Sequence, residues 1–137
     1  MTMNIEDFAV HIAEQGNFQG YQLSCQPIPG EVDVLEISVE GFEELPVYIS
    51  TTDTQILCIT YLWTEDEVKT ESRAEMMESL LEMNIPMPLS SFAKIGDRYV
   101  IFGALAVSSE KDEVLYEVTT LVENGVEAIA AMEEYLK

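Results

Sequence analysis

Basic residues are the scarcest resource of this chain: six Lys and Arg stand against 26 Asp and Glu in 137 residues, a formal net charge of −20. No Lys or Arg precedes Lys69, so the N-terminal half carries its acid without local compensation. A surface of that sign repels phosphate backbones and anionic lipid headgroups, which excludes nucleic-acid binding and direct membrane insertion as expected functions. Long apolar runs are also missing. The longest, Ile56 to Trp63 and Tyr99 to Val107, fall far short of the roughly 20 residues that span a bilayer. The opening MTMNIEDFAV is acidic where a signal peptide would be basic, so the expected compartment is the cytoplasm.

Two cysteines, Cys25 and Cys58, stand alone on different expected strands with none of the paired spacing that binds zinc or runs thiol exchange. They read as reduced, core-filling thiols. His11, the one histidine, has no second histidine or clustered cysteine near it and reads as a surface or half-buried side chain. Nucleophile elbows of the G-x-S-x-G kind and glycine-rich phosphate loops are absent, and Ser90-Ser91 and Ser108-Ser109 fall where turn and cap chemistry accounts for them. No catalytic, cofactor-binding or metal-ligating residue is assigned. The alternative is a carboxylate-based enzyme or metal-dependent switch, motivated only by acid density.

What the chain does have is 47% hydrophobic residues, enough for one packed domain over residues 1–137. Asn4 can cap a helix over Ile5 to Gln15 with Ile5, Phe8, Ala9 and Ile12 as its buried stripe, and Gly16 ends it. Tyr21 to Cys25 alternates as a strand closed by a Pro27-Ile28-Pro29-Gly30 turn, and Val32 to Val39 returns as its hairpin partner. Leu45 to Ser50 and Gln55 to Trp63 give a third and fourth strand. Thr64-Glu65-Asp66-Glu67 reads as a solvated acidic link. Ser72 and Glu75 form a capping box for a helix bearing Ala74, Met77, Leu80, Leu81 and Asn84 on one face and Glu71, Glu75, Glu78 and Glu82 on another. Pro86 and Pro88 bar further helix, a hairpin turns at Gly96-Asp97, and Ser109 with Asp112 caps a last helix interrupted at Gly125. The order is helix, four strands, helix, two strands, helix: an α+β fold, an antiparallel sheet with helices packed largely on one side.

Two strands are apolar on both alternating sets. On the fourth these are Ile56/Cys58/Leu62 and Leu57/Ile59/Tyr61/Trp63; on the last they are Tyr99/Ile101/Leu105/Val107 and Val100/Phe102/Ala104/Ala106. Each face therefore needs a cover. The last helix carries two adjacent apolar stripes, one through Leu115, Val118, Val122, Gly125, Ile129, Met132 and Leu136, the other through Val114, Leu121, Ala128 and Tyr135. One stripe suffices for the sheet, so the second is expected to meet a partner or a second copy of the chain. The candidate interface is Leu57, Tyr61, Trp63, Phe102, Val118, Val122, Gly125 and Ile129, with Gly125 marking a close backbone approach and Gly125→Leu expected to weaken association without unfolding the chain.

Leu45-Pro46-Val47, Gln55-Ile56-Leu57, Leu62-Trp63, Leu80-Leu81, Pro88-Leu89-Ser90-Ser91-Phe92, Phe102-Gly103-Ala104-Leu105, Ser108-Ser109 and Leu121-Val122-Glu123-Asn124 together resemble the YjfI-type bacterial domain of unknown function. The layout is more distantly similar to type III secretion chaperones and YbjN-like proteins, which are small, acidic, cytoplasmic and often dimeric binders of other polypeptides. The resemblance implies a chaperone-like fold, a non-catalytic protein-binding role and no cofactor. It also implies a link to envelope stress, with a phage-shock-protein-A-like coiled-coil protein or another basic polypeptide as partner, or a homodimer.

Overall fold

The structure, a computed structural model, describes residues 4–137. Helix α1 (Ile5–Gln15) starts where expected: Asn4 is extended and its Oδ1 accepts the backbone N–H groups of Glu6 at 2.7 Å and Asp7 at 3.3 Å. Gly16, at φ 64°, closes it by donating its N–H to Ile12 O at 2.8 Å. Among the described residues seven strands follow in one antiparallel sheet: β1 (Asn17–Phe18), β2 (Tyr21–Ile28), β3 (Val34–Val39), β4 (Val47–Thr51), β5 (Gln55–Thr64), β6 (Ser91–Ile95) and β7 (Arg98–Ala106), in the spatial order β1-β2-β3-β4-β5-β7-β6. Helix α2 (Arg73–Met83) separates β5 from β6, and α3 (Lys111–Met132) follows β7.

The order differs from expectation by one strand, because β1 has only two residues, too few to show periodicity. Pro27 lies inside β2 opposite Leu35 rather than in a turn, and the bend comes after Ile28. Ser72 stands at the N-cap of α2 as expected, and the cap of α3 is shifted by one residue. Ser72 ends a 3-10 turn and makes no side-chain cap, while Glu110 caps α3 with its N–H donated to Glu113 Oε1 at 3.0 Å, one residue beyond Ser109. Helix α3 runs unbroken through Gly125.

All three helices lie against one face. Helix α1 crosses β2 and β3, and α3 crosses β4, β5 and β7. The main core joins Phe8 and Ile12 to Leu35, Ile37, Ile49, Ile56, Cys58 and Ile101 from the sheet and to α3. A second cluster at the far end of β5 and β7 holds Trp63, Tyr99, Met76, Leu80, Met132 and Tyr135, which is where α2 and the end of α3 dock. Both apolar stripes of α3 are spent here: Leu115, Val118 and Val122 on one, and Val114, Leu121 and Ala128 on the other, are each 0% exposed. The helix is wedged deeply enough to bury both along most of their length, with Ile129 left half-buried.

Gly125 supplies a close approach, but within the chain. A Cβ there would stand 3.0 Å from Leu45 Cδ1 and 3.7 Å from Leu62 Cδ2. Cys25 and Cys58 are free and belong to β2 and β5, with two strands between them. At three strand spacings, about 14 Å, no disulfide can join them.

Candidate interaction surface

The pleat decides what the helices leave uncovered. Along β5, Ile56, Cys58 and Thr60 point to the helices and are fully buried, while Leu57, Ile59 and Tyr61 alternate to the other side. Register places Ile59 opposite Phe102, Leu57 opposite Ala104 and Tyr61 opposite Val100, with Tyr48 of β4 opposite Ile59 on its other flank. Among the described residues no helix or loop belongs to a core cluster on that side, and Tyr48, Leu57, Ile59, Tyr61 and Phe102 are in neither cluster. Tyr61 is 39% exposed, Leu57, Ile59 and Phe102 are half-buried, and Val100 beneath them is covered.

An aromatic and cationic fringe borders this apolar strip. The Tyr48 and Tyr61 rings lie 5.8 Å apart and tilted by 60°, and the Arg98 guanidinium stands 5.0 Å from the Tyr61 ring centroid. Burial raises the Tyr48 hydroxyl above its ordinary value, with the Glu36 charge adding to the effect. The hydroxyl therefore stays neutral at physiological pH. Toward β2 the same face becomes polar, through Ser24, Gln26, Glu36 and Ser38. The result is an apolar patch on the β5–β7 half of an open sheet, rimmed by polar groups, the pattern expected of a docking surface rather than of scattered exposed hydrophobes.

Three of the expected interface residues, Leu57, Tyr61 and Phe102, meet on this face. Trp63 does not join them. A bulge between Tyr61 and Trp63 turns the indole to the helix side, where it pairs with Tyr99 at 5.8 Å between ring centroids and is 4% exposed, its Nε1 without a partner. Val118, Val122 and Gly125 lie in the core, and Ile129 is half-buried beside a separate groove. Tyr48, Ile59 and Arg98 complete the surface. Ile59 shared the outward set of its strand with Leu57 and Tyr61, whereas the contributions of Tyr48 and Arg98 depend on cross-strand register, which sequence does not print.

The polar clusters are structural. The Glu65 carboxylate, expected in solvent, accepts from Arg73 Nε at 3.0 Å, Lys94 Nζ at 3.1 Å and Tyr99 Oη at 3.1 Å. Partial burial pushes it up, but these three donors outweigh that and hold its pKa below the ordinary value. His11 Nε2 lies 3.1 Å from Asp112 Oδ1 and ties α1 to α3. Asn124 Nδ2 donates to Pro88 O at 2.9 Å and Ser90 Oγ at 3.0 Å, anchoring the loop before β6. Burial raises the Cys58 thiol, with the Glu117 charge beside it a further cause, so this sulfur is inert as a thiolate. Among the described residues no group of three or more His, Cys, Asp or Glu side chains is placed to hold a metal ion, and no helix is long and apolar enough to cross a membrane.

The sequence matches, over residues 2–136, the family model described as an uncharacterized protein conserved in bacteria, DUF2170. The chain belongs to this family. The chain is also similar to the uncharacterized protein YjfI of Escherichia coli K12, 28% identical over 107 residues that make up 75% of this chain and 79% of YjfI. Among solved structures, YbjN from E. coli superimposes with a TM-score of 0.69 at 12% identity, covering 98% of this chain and 94% of YbjN. The Yersinia pestis type III secretion chaperone SycH, solved in complex with a fragment of YscM2, gives 0.58 at 14% identity over 90% and 95% of the two chains. At such identities these likenesses establish a shared fold: the DUF2170 chain has the α+β architecture of type III secretion chaperones and of YbjN.

Proposed function

We propose that this DUF2170 protein is a non-catalytic, cytoplasmic protein-binding module that engages another polypeptide through the open face of its sheet. The observation that carries the reading is the juxtaposition of Leu57, Ile59, Tyr61 and Phe102 on a sheet whose helices all lie on the opposite side. An apolar, aromatic-rich patch with a polar rim gains free energy when water is displaced from it, and Tyr and Phe lose little side-chain entropy on docking. The chaperone-like fold supports the same reading, since SycH is solved bound to a polypeptide. The finer form, an accessory to a phage-shock-A-like coiled-coil protein, rests on the YjfI resemblance and on the acidity of the chain, which suits a basic coiled-coil face.

Capture from the native cytoplasm tests this reading, with tagged wild type and a Phe102→Asp variant compared at low and moderate salt. The expected result is a specific protein, or a second copy of the chain, retained by wild type at both salts and lost by the variant. Equal recovery by a folded variant would contradict it.

A further inference from the structure

A groove on the helix side of the molecule is built differently from the open face. Its floor is Leu45, Leu62 and Ile129, and its walls are the β3–β4 turn, with Phe42, and the outer surface of α3, with Val126; it encloses about 430 Å³. Gly125 makes it possible. Because no side chain stands between α3 and Leu45 there, the leucine lies directly on the helix backbone. Val126 remains 48% exposed at the mouth, an apolar side chain facing water with a hydrophobic floor behind it.

The two walls have one sign of charge. Residues 40–45 and 123–133 contain Glu40, Glu43, Glu44, Glu123, Glu127 and Glu133 and no Lys or Arg, and all six carboxylate residues are exposed. Of these, Glu43 and Glu44 line the groove itself, and Glu43 Oε1 is held in place by accepting the Gly41 N–H at 3.0 Å. Three of the chain's cations, by contrast, gather around Glu65 and Tyr61 on other parts of the surface. An apolar floor inside an acidic rim recognises a segment that presents the reverse: an apolar anchor flanked by Lys or Arg.

We propose that the Phe42–Leu45/Val126–Ile129 groove seats a cationic amphipathic segment of the polypeptide partner, with an aliphatic side chain on Leu45, Leu62 and Ile129 and basic residues against the glutamate rim. This deepens the protein-binding reading and rests on it. A second copy of the chain is not the occupant, because its amphipathic helix α1 carries Glu6, Asp7 and Glu14 with no Lys or Arg and would meet the rim with like charge. The groove and the open face thus recognise different features of a partner, one charged and salt-sensitive, the other apolar.

The test uses the full chain, isotopically labelled for amide NMR, titrated with a synthetic helical peptide of Leu and Lys at amphipathic spacing. A peptide of the same pattern with Glu in place of Lys serves as control, and spermine tests whether charge alone suffices. The Leu/Lys peptide should move the amides of Phe42 to Leu45 and Val126 to Ile129 together. Affinity should fall about tenfold in Val126→Asp and in the double variant Glu43→Lys/Glu44→Lys, and between about 50 and 300 mM salt. Phe102→Asp should leave it unchanged, and the Glu/Leu peptide and spermine should not produce the same shifts. Shifts centred on the Glu71–Glu82 row of α2, shifts matched by spermine, or no shifts at low salt would overturn the groove assignment. Because Phe102→Asp is scored separately in native capture, such a failure would leave the open-face reading standing, and a failure of capture alone would leave the groove.

Discussion

Gly103 of β7 lies directly beneath the Glu117 side chain of α3: a Cβ at position 103 would stand 2.8 Å from Glu117 Cδ and would overlap the carboxylate itself. Glu117 is 4% exposed, and burial pushes its pKa up to about 6. A strand glycine thus makes room for an acid in the middle of a helix–sheet contact, opposite Cys58 across the β5–β7 pair. Glycine weakens a strand interior, so its presence here answers to a packing need.

The pH dependence follows from the sign of that shift. A carboxyl whose folded pKa is raised from 4.5 to about 6 favours folding when protonated. Its contribution is complete below the unfolded value and is lost as pH rises through 6. Glu117→Gln should therefore gain stability relative to wild type between pH 5 and pH 8, by on the order of 1–2 kcal/mol. Urea unfolding of both proteins across that range measures it, and a difference constant with pH would sink the assignment.

Gly103→Ala should cost about 1–3 kcal/mol, because the buried carboxylate must move against packed neighbours. Combined with Glu117→Ala, most of that penalty should vanish. A double-mutant cycle reads the coupling directly, and additive losses would show that the two residues do not share the space.

Glu65 titrates the other way. Its folded pKa is lowered by the Lys94, Arg73 and Tyr99 donors, which prevail over partial burial. The stability it supplies is present above its ordinary pKa and is lost as pH falls through the lowered folded value. Glu65→Gln should be less stable than wild type at neutral pH and indistinguishable from it once both are acidified, and the neutral-pH gap should narrow with salt. A gap that survives acidification would mean that packing, not charge, is what the substitution disturbs.

Gly125→Leu should lower thermal stability steeply, since its Cβ alone would crowd Leu45 and the rest of the side chain would find Leu62 and Ile101 already in contact range. Circular dichroism melts compared with those of Gly125→Ala, which adds only that Cβ, grade the effect. A melt like that of wild type would show that the helix can withdraw from Leu45.

Much of the fold was legible because it depends on period and punctuation: Asn4 and Gly16 mark the ends of α1, and the two double-faced strands proved to be neighbours at the centre of the apolar half of the sheet. What escaped notice was set by tertiary geometry. The bulge that turns Trp63 inward leaves no local signature, and the depth at which α3 is wedged determines that both stripes are buried. Glu117 could have been suspected. It lies three residues after Val114 and four before Leu121, on a stripe where a charge is out of place unless something opposite it is missing, and Gly103 is that missing side chain. For the interaction surface, the strand pattern named Leu57, Tyr61 and Phe102, while Tyr48 and Arg98 entered only with the register of β4 and β7.

The central claim is that the open face is covered in the working assembly. Hydroxyl-radical footprinting of the protein isolated in its native complex, against the purified chain alone, tests it most directly. Tyr48, Tyr61 and Phe102 should lose reactivity on assembly, while Tyr116, 52% exposed on α3 and away from that face, should keep it. Unchanged reactivity of all three open-face rings, with protection elsewhere, would contradict the account.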